Sequence, residues 1–399
     1  MRLVWMLLLL TWSQAQSEDW PQFLGPGRNG VYSGPSPQSG PAAIWKIDVG
    51  QGFSGPVVAR GRVILFHRRE NRAIVESLDA ATGKRVWLAE YPTDYRDDFG
   101  FDEGPRATPA IAGDKIYTFG AEGVLQSLDF ATGKRIWSVD TREKFGTDKG
   151  FFGAVCSPLV ENGRVLMNVG GPKGAGVVAF DAASGKTLWT ATNDEAGYSA
   201  PVTTTINGAR HALFFTRAGL VDIDPETGKI RFQFPWRSRS HASVNAAAPV
   251  VAGNLVFLSA SYGTGATLLQ IDGAGAKQLW ASDDALSSHY STSVYREGYL
   301  YGYHGRQEYG QSLRSVELKT GKVQWNVDGF GAGTVTLAGD RLLLVRENGE
   351  LVLAPASPKE FKPSVHAQLL PAVVRAYPAL ADGRLYVRNE RTLACFSLK

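Results

Sequence analysis

Short apolar segments bounded by turn-forming residues recur along most of the chain. A proline precedes many of them, at Pro56, Pro109, Pro158, Pro201 and Pro249. After each proline comes a short apolar strand, a turn such as Ala112-Gly113-Asp114, and a second apolar strand such as residues 116–119. No segment has a sustained helical period. The pattern predicts an all-β protein made of repeated units with four short strands each.

The turn between the third and fourth strands of each unit has a recurring sequence. Its first copy runs from Asp79 through Gly83 to Trp87, and later copies begin at Asp129, Asp181, Asp224, Asp272 and Glu317. An Asp at the first turn position accepts hydrogen bonds from nearby backbone amides, and Gly adopts the positive φ that closes the hairpin. The fourth strand of each unit then carries one large aromatic ring at a fixed outer position. These marker rings are Trp45, Trp87, Trp137, Trp189, Phe232, Trp280 and Trp325.

The two ends of the repeat array complement each other. The last unit begins near Tyr377 and has only three strands before the chain ends, whereas residues 44–49 resemble a fourth strand without the first three. Joined, they make one blade, and the ring leaves no open sheet edge. With seven continuous units, this predicts an eight-bladed β-propeller of four-stranded antiparallel blades, closed by an N-terminal strand. Mispairing of the degenerate seventh unit, around residues 354–361, would leave seven blades.

The N-terminal region is predicted to contain a signal peptide over residues 1–15. Arg2 precedes an apolar stretch, and Ser13-Gln14-Ala15 is a small-x-small cleavage site. A Pro/Gly-rich extension follows over residues 16–43, where Trp20 and Phe23 suggest an apolar peg on the propeller or, alternatively, a binding element. The propeller is a single domain over residues 44–399. We expect a periplasmic or extracellular protein without a transmembrane segment, and no cysteine marks a lipid anchor at the cleavage junction.

Composition and charge narrow the classes of protein. Apolar residues make up 44% of the chain and charged residues 20%, which excludes wholesale disorder. The net charge of +4 is spread over 399 residues and does not indicate a nucleic-acid partner. Cys156 and Cys395 fall in different predicted blades, so two buried thiols are expected rather than a disulfide.

The hairpin copies resemble the tryptophan-docking motif of the quinoprotein family, in which a small residue, a glycine and a tryptophan recur at fixed spacing. Ala179, Gly185 and Trp189 match all three places. The resemblance implies that the marker rings wedge between neighbouring blades. Residues 19–30 resemble the opening of a group of secreted quinoprotein-like repeat proteins. Catalytic members of the family use pyrroloquinoline quinone (PQQ) with calcium, whereas other members, including BamB-like outer-membrane assembly propellers, are non-catalytic.

Candidate site residues lie on the connections between blades, which gather around one mouth of a propeller channel. They combine aromatic rings, arginines and histidines, which suit a flat anionic or polyhydroxylated ligand or, alternatively, a watered channel mouth without a small ligand. The candidates are Asp102, Arg106, Phe152, Tyr198, Arg237, His241, Asn245, His289, Tyr290, Arg375 and Tyr377.

The chemistry of a quinone enzyme is not visible in the sequence. Calcium needs several converging oxygens, for which only Asp102, Glu103, Glu195 and Asn245 are available. The adjacent cysteine pair of alcohol-oxidising relatives is missing, and no histidines have zinc-site spacing. No catalytic or metal-binding residue is predicted. The first hypothesis is a non-catalytic scaffold that binds protein or peptide partners in the cell envelope. The alternatives are a PQQ-dependent dehydrogenase of alcohols or sugars, and a carbohydrate-binding or carbohydrate-processing propeller.

Overall fold

The computed structural model describes residues 18–241, 243–273 and 275–398 of the chain. The predicted signal peptide, residues 1–15, therefore lies outside the described residues. The described strands form eight sheets, seven with four strands and one with five. The first strands of most neighbouring sheets contact each other and are the innermost strands of the ring. The space that they surround is called the central channel. The prediction of an eight-bladed β-propeller is confirmed.

The first four blades are continuous in sequence, and the strands of each pair antiparallel in chain order. Blade 1 consists of Val57–Ala59, Arg62–Arg69, Arg72–Asp79 and Arg85–Pro92, and blade 2 of Ala110–Ala112, Lys115–Phe119, Val124–Asp129 and Arg135–Asp140. Blade 3 consists of Leu159–Glu161, Arg164–Asn168, Val177–Asp181 and Thr187–Ala191, and blade 4 of Val202–Ile206, Ala209–Phe215, Gly219–Ile223 and Ile230–Pro235. A short α-helix, Thr141–Phe145, follows blade 2.

The remaining blades repeat this order. Blade 5 consists of Val250–Ala252, Leu255–Ala260, Gly265–Asp272 and Gly275–Ser282, and blade 6 of Val294–Arg296, Tyr299–His304, Ser312–Glu317 and Val323–Val327. Blade 7 consists of Gly333–Ala338, Arg341–Arg346, Glu350–Pro355 and Val365–Gln368, and blade 8 of Ala379–Ala381, Arg384–Arg388, Thr392–Ser397 and Ala42–Asp48. One 3₁₀ turn, Gln307–Tyr309, lies within blade 6. The degenerate seventh unit is thus a complete blade, which excludes the seven-bladed alternative.

Blade 8 closes the ring with a strand from near the N-terminus, as predicted. Ala42–Asp48 pairs antiparallel with Thr392–Ser397 and places Trp45 opposite Cys395. The strand begins two residues earlier than the sequence pattern indicated and ends before Val49. Val31–Tyr32 also pairs in parallel with the inner strand of blade 7, which the sequence analysis did not foresee.

The recurring turn has the geometry that its residue types dictate. Asp79 Oδ1 accepts the N–H of Thr82 at 2.8 Å, and Gly83 has a φ of 71°. The hydrogen bonds from Thr82 lower the pKa of the Asp79 carboxyl. The turn therefore holds the following strand, and the ring that it carries, in a fixed register.

The marker tryptophans each contact the blade that follows. Trp137 Nε1 donates to the carbonyl of Ala182 at 3.1 Å, and a Cβ atom on Gly185 would lie 2.7 Å from the same indole. Only glycine leaves room for this contact. Equivalent N–H···O bonds join the following pairs: Trp45 and Ala80, Trp87 and Phe130, Trp189 and Pro225, Trp280 and Leu318, and Trp325 and Ser357. The ring of Phe232 has no N–H to donate, and it packs against an apolar cluster of blades 4 and 5.

Two further sequence expectations concern the cysteines and membrane spans. Cys156 and Cys395 are both buried and unbridged, which confirms the prediction of two free thiols. Burial raises the pKa of each thiol to about 11, so both are protonated at neutral pH. Within the described part of the chain, no helix has the length and apolar character needed to cross a membrane.

Candidate functional site

The propeller has two different faces. The turns joining first to second and third to fourth strands lie on one side, which we call the turn face. The connections between blades lie on the opposite side, together with the turns between second and third strands, and this is called the loop face. All candidate site residues named from the sequence belong to blade-to-blade connections and therefore lie towards the loop face.

An aromatic cluster dominates the loop face above blades 2 to 4. We call it the aromatic platform, and it consists of Phe99, Phe101, Phe151, Phe152 and Tyr198. Phe99 and Phe101 are 53% and 57% exposed, and their stacked rings, with centroids 6.3 Å apart, make a continuous apolar surface. The centroid of Phe152 lies 5.2 Å from that of Phe99 and 5.8 Å from that of Tyr198. The Tyr198 hydroxyl accepts the N–H of Phe152 at 2.9 Å, which holds the two connections together.

A cavity of about 350 Å³ adjoins the aromatic platform. Phe151 and Tyr198 line it together with Arg217 and His241. The Arg217 guanidinium lies 5.1 Å from the centroid of Phe151 and pairs with Glu195. The cavity therefore combines apolar ring surface with charged side chains, of which Arg217 and Lys149 are already paired within the chain.

A second cluster lies nearer the axis and is built around Phe53. The guanidinium carbons of Arg106 and Arg375 lie 5.2 Å and 5.1 Å from the Phe53 centroid. Arg375 donates to both oxygens of Glu347, from Nε at 2.6 Å and from Nη2 at 3.2 Å. Tyr290 donates its hydroxyl to the same carboxylate. Glu347, which the sequence analysis missed, is thus the residue that joins two of the candidates.

We call this second group, which consists of Phe53, Arg106, Tyr290, Glu347 and Arg375, the axial cluster. Burial and the charge of Glu347 together set the pKa values of Arg375 and Tyr290. Burial opposes the charge of Arg375, but the hydrogen bonds to Glu347 outweigh it and raise the pKa of Arg375. Burial and the neighbouring Glu347 charge raise the pKa of the Tyr290 hydroxyl well above its ordinary value. Both groups therefore keep their protons at neutral pH and act as hydrogen-bond donors.

The carboxylates considered for calcium are engaged by neighbouring groups of the chain, and Asn245 is held through its amide nitrogen. Asp102 is 5% exposed, and its two oxygens accept the N–H groups of Gly52 at 3.0 Å and Gly104 at 2.6 Å. Glu103 pairs with Arg68 at 3.3 Å. The Asn245 amide donates to the carbonyls of Thr216 and Trp236, and Glu195 pairs with Arg217.

These contacts determine whether the site residues suit a quinone that is held together with calcium. Calcium requires several carboxylate or amide oxygens that converge on one point. No group of three or more metal-ligating His, Cys, Asp or Glu side chains is found among residues 18–241, 243–273 and 275–398. The described side chains therefore do not fit that cofactor pair.

The remaining candidates, His289, Tyr377 and Arg106, each contact a different part of the chain. His289 Nε2 lies 2.8 Å from the Tyr262 hydroxyl, and its Nδ1 faces Gln307. Tyr377 is in edge contact with Phe23 of the N-terminal extension, with centroids 4.9 Å apart. Arg106 donates to the carbonyls of Phe152 and Asp102, which connects it to the aromatic platform.

Sequence reasoning selected only part of the two clusters that the fold assembles. Arg237 and His241 are exposed, and Asp102 and Asn245 are buried as loop-bracing residues. Phe99, Phe101 and Phe151 were not selected as site residues, although three phenylalanines beside glycines in polar connections were a usable signal. Glu347 had no such signal, because a single carboxylate in a short turn is common on any surface.

The buried histidines predict a pH dependence of stability. Burial, reinforced by Arg314, lowers the pKa of His304 from 6.5 to about 4, and its Nδ1 accepts the N–H of Ser287 at 3.1 Å. Burial likewise lowers the pKa of His67 and His289. Because the unfolded chain takes up these protons first, stability should be full above pH 6.5 and fall progressively towards pH 4.

The measurement is denaturant unfolding at pH values from 7.5 to about 4, comparing the wild-type chain with the His304→Gln variant. Gln keeps an acceptor for Ser287 but takes up no proton. The stability difference in favour of the wild-type chain should therefore shrink as the pH falls. A difference that is constant across the range would contradict the prediction.

The ring of blades and the tryptophan contacts between neighbouring blades, which we call seams, define a class of protein. It is the β-propeller with tryptophan-docked four-stranded blades. The family model described as outer membrane protein assembly factor BamB matches residues 71–327, and the chain belongs to this family. A comparison with curated protein sequences finds no match.

Solved structures show the same fold at low sequence identity. BamB from Moraxella catarrhalis is 15% identical with a TM-score of 0.66, and the match covers 90% of this chain and 98% of that one. Quinohemoprotein alcohol dehydrogenase from Comamonas testosteroni is 15% identical with a TM-score of 0.68, covering 96% and 80%. The computationally designed Ika8 protein is 11% identical with a TM-score of 0.60, covering 92% and 99%. The fold is thus shared by a BamB protein, an alcohol dehydrogenase and a designed protein.

Proposed function

We propose that this chain is a non-catalytic binding propeller of the cell envelope, exported by its signal peptide, whose loop face holds a protein partner. The observation that carries the proposal is the aromatic platform, with Phe99 53% and Phe101 57% exposed beside an open cavity. Membership of the family described as outer membrane protein assembly factor supports a partner that is itself a protein.

The energetics favour an apolar protein surface as the occupant. Fully burying an exposed Phe side chain contributes about 1.5–3 kcal/mol. Because Phe99 and Phe101 are about half exposed, covering both should supply about the same amount in total. The adjoining cavity can receive one apolar side chain of the partner. The nearby charges of Arg217 and Lys149 are compensated by Glu195 and Asp98, so they add little demand for an ionic ligand.

The test compares the wild-type chain with the Phe99→Ala, Phe101→Ala double variant. Tagged proteins are cross-linked in the envelope, and partners are identified by mass spectrometry and then titrated as purified proteins. We expect the double variant to bind the partner at least ~10-fold more weakly, since each ~1.4 kcal/mol changes affinity tenfold. Leu188→Ala is the control, because Leu188 is 49% exposed but lies on the outer strand of blade 3.

Other outcomes would redirect the assignment. A partner that binds the double variant and the wild-type chain equally would contradict a role of the aromatic platform. Retention of the wild-type chain on a glycan array, lost in the double variant, would favour the carbohydrate-binding alternative. Saturable binding of PQQ with calcium would favour the dehydrogenase. Fractionation of tagged cells tests the envelope location, which a cytoplasmic signal would overturn.

A further inference from the structure

The N-terminal extension enters the central channel from the turn face. We call residues 18–34 the N-terminal plug. Trp20, only 2% exposed, exchanges backbone hydrogen bonds of 2.8 and 2.9 Å with Val58 on the inner strand of blade 1. The carbonyl of Pro21 accepts the N–H of Ile111 in blade 2 at 2.8 Å. The plug is therefore bound through its backbone at its first residues.

The far end of the plug is attached to blades 7 and 8, on the other side of blade 1 from blade 2. Val31–Tyr32 pairs in parallel with residues 337 and 338 of blade 7. The Tyr32 hydroxyl accepts the N–H of Gly383 in blade 8 at 2.9 Å. Adding a short strand to existing strands is a common mode of peptide recognition.

Arg28 connects the middle of the plug to blades 3 and 4. It is 4% exposed and donates to the carbonyls of Pro201 at 2.8 Å, Pro158 at 2.9 Å and Ser157 at 3.2 Å. A further bond of 3.1 Å reaches Gln22 within the plug. These acceptors are neutral carbonyl and amide oxygens, and they stand where the inner strands of two blades begin. This cage selects a guanidinium by hydrogen-bond geometry.

The plug is also compact in itself. The Trp20 ring lies against Gly25, where a Cβ atom would be 2.7 Å from the indole. Residues 38–40, which lead to the first strand of the propeller, are exposed. Most contacts that bind the plug thus lie within residues 18–34. The tether adds hydrogen bonds of Ser36 and Gln38 to blade 7 and a high effective concentration.

We propose that the central channel is a peptide-binding site and that the N-terminal plug is its ligand, bound within the same chain. The ligand class is a peptide with a Trp-Pro pair and a downstream arginine. The site recognises it by strand pairing at blades 1 and 7, by burial of the Trp20 side chain and by the carbonyl cage for Arg28. A second copy of the chain carries the same ligand and can supply it in exchange. This proposal is independent of the partner proposed for the loop face.

The experiment uses the full mature chain with a protease site inserted at residues 38–40. After folding and cleavage, the plug should remain associated on gel filtration and exchange with an added fluorescent peptide of residues 18–34. The exchange should be saturable with one peptide per propeller. A peptide with Arg28→Ala should compete at least tenfold less well. A peptide with Pro26→Ala is the matched control and should compete as the parent does, because Pro26 is exposed.

Two results would overturn the proposal. In the first, the cleaved plug is lost at once and added peptide fails to bind at millimolar concentration, which would mean that the channel has no affinity of its own. Alternatively, the cleaved plug stays but never exchanges unless the propeller unfolds, which would make it an integral part of the core. A chain lacking residues 18–34 gives a second readout, since added parent peptide should raise its melting temperature and the Arg28→Ala peptide should not.

Discussion

Replacing Trp137 by alanine should lower the free energy of unfolding by about 3–5 kcal/mol, the usual cost of removing a large buried ring. Trp137 is 8% exposed and packs 6.0 Å from the ring of Tyr117, measured between centroids. Its indole N–H donates to Ala182 of the next blade. The substitution therefore leaves a cavity at a blade seam and removes one hydrogen bond across it.

The matched control is Ile136→Ala on the same strand. Ile136 is 44% exposed, so its loss should change the free energy of unfolding by less than about 0.5 kcal/mol. Both variants are compared by denaturant unfolding of the purified chain. Similar midpoints for Trp137→Ala and Ile136→Ala would show that the docked ring does not stabilise the seam. Trp137→Phe should fall between them, since it keeps much of the packing but not the N–H donor.

The contacts between neighbouring blades were predictable from the sequence because one short motif contains both the turn glycine and the aromatic ring that they require. The turn glycine must have a positive φ, and it must also leave space for the ring of the preceding blade. Gly185 has a φ of 72° and lies against Trp137, so both constraints fall on one residue. Constraints of this kind repeat with the blade and become visible as periodicity. The strand that closes blade 8 was predictable for the same reason, because it is the missing part of a repeat.

The contact between blades 4 and 5 departs from the commonest form of the repeat. In blade 4, Asp222 stands opposite Phe232, whereas blades 1, 2, 3 and 6 have Ser or Ala opposite a tryptophan. Asp222 pairs with His211 at 2.6 Å, and burial raises the pKa of its carboxyl. The turn motif located this seam, but it gave no information about the His211 pair, whose partners lie on separate strands.

The parts of the molecule that do not repeat were only partly predictable. Trp20 was expected in an apolar peg on the propeller, and it is 2% exposed there. The N-terminal plug depends on contacts such as Arg28 with Pro158 and Pro201, which are distant in sequence and come together only when the ring has closed. The aromatic platform joins residues from different blade-to-blade connections, whose paths follow no period. The sequence showed that these connections are rich in aromatic and basic residues. Only the fold shows which carboxylate pairs with each basic side chain.

The second large effect is expected at Glu347, where alanine should reduce the free energy of unfolding by about 3 kcal/mol. The carboxylate is 19% exposed and Arg375 is 25% exposed, and the two make a bidentate pair near the axis. Without Glu347, the guanidinium and the Tyr290 hydroxyl would each lose their acceptor while remaining largely buried. Breaking a buried pair is costly because the remaining charge is uncompensated.

The control for Glu347→Ala is Glu90→Ala, which removes an exposed partner of Arg72. That pair has its nitrogen and oxygen 2.7 Å apart, but its side chains are 44% and 40% exposed, so its loss should cost below about 1 kcal/mol. The Glu347→Gln variant keeps one acceptor without the charge and should lie between the two. High salt should reduce the small Glu90 effect more than the Glu347 effect, because partly buried pairs are screened less. Equal losses for Glu347→Ala and Glu90→Ala would mean that the pair of Glu347 and Arg375 is solvated like a surface pair and contradict the prediction.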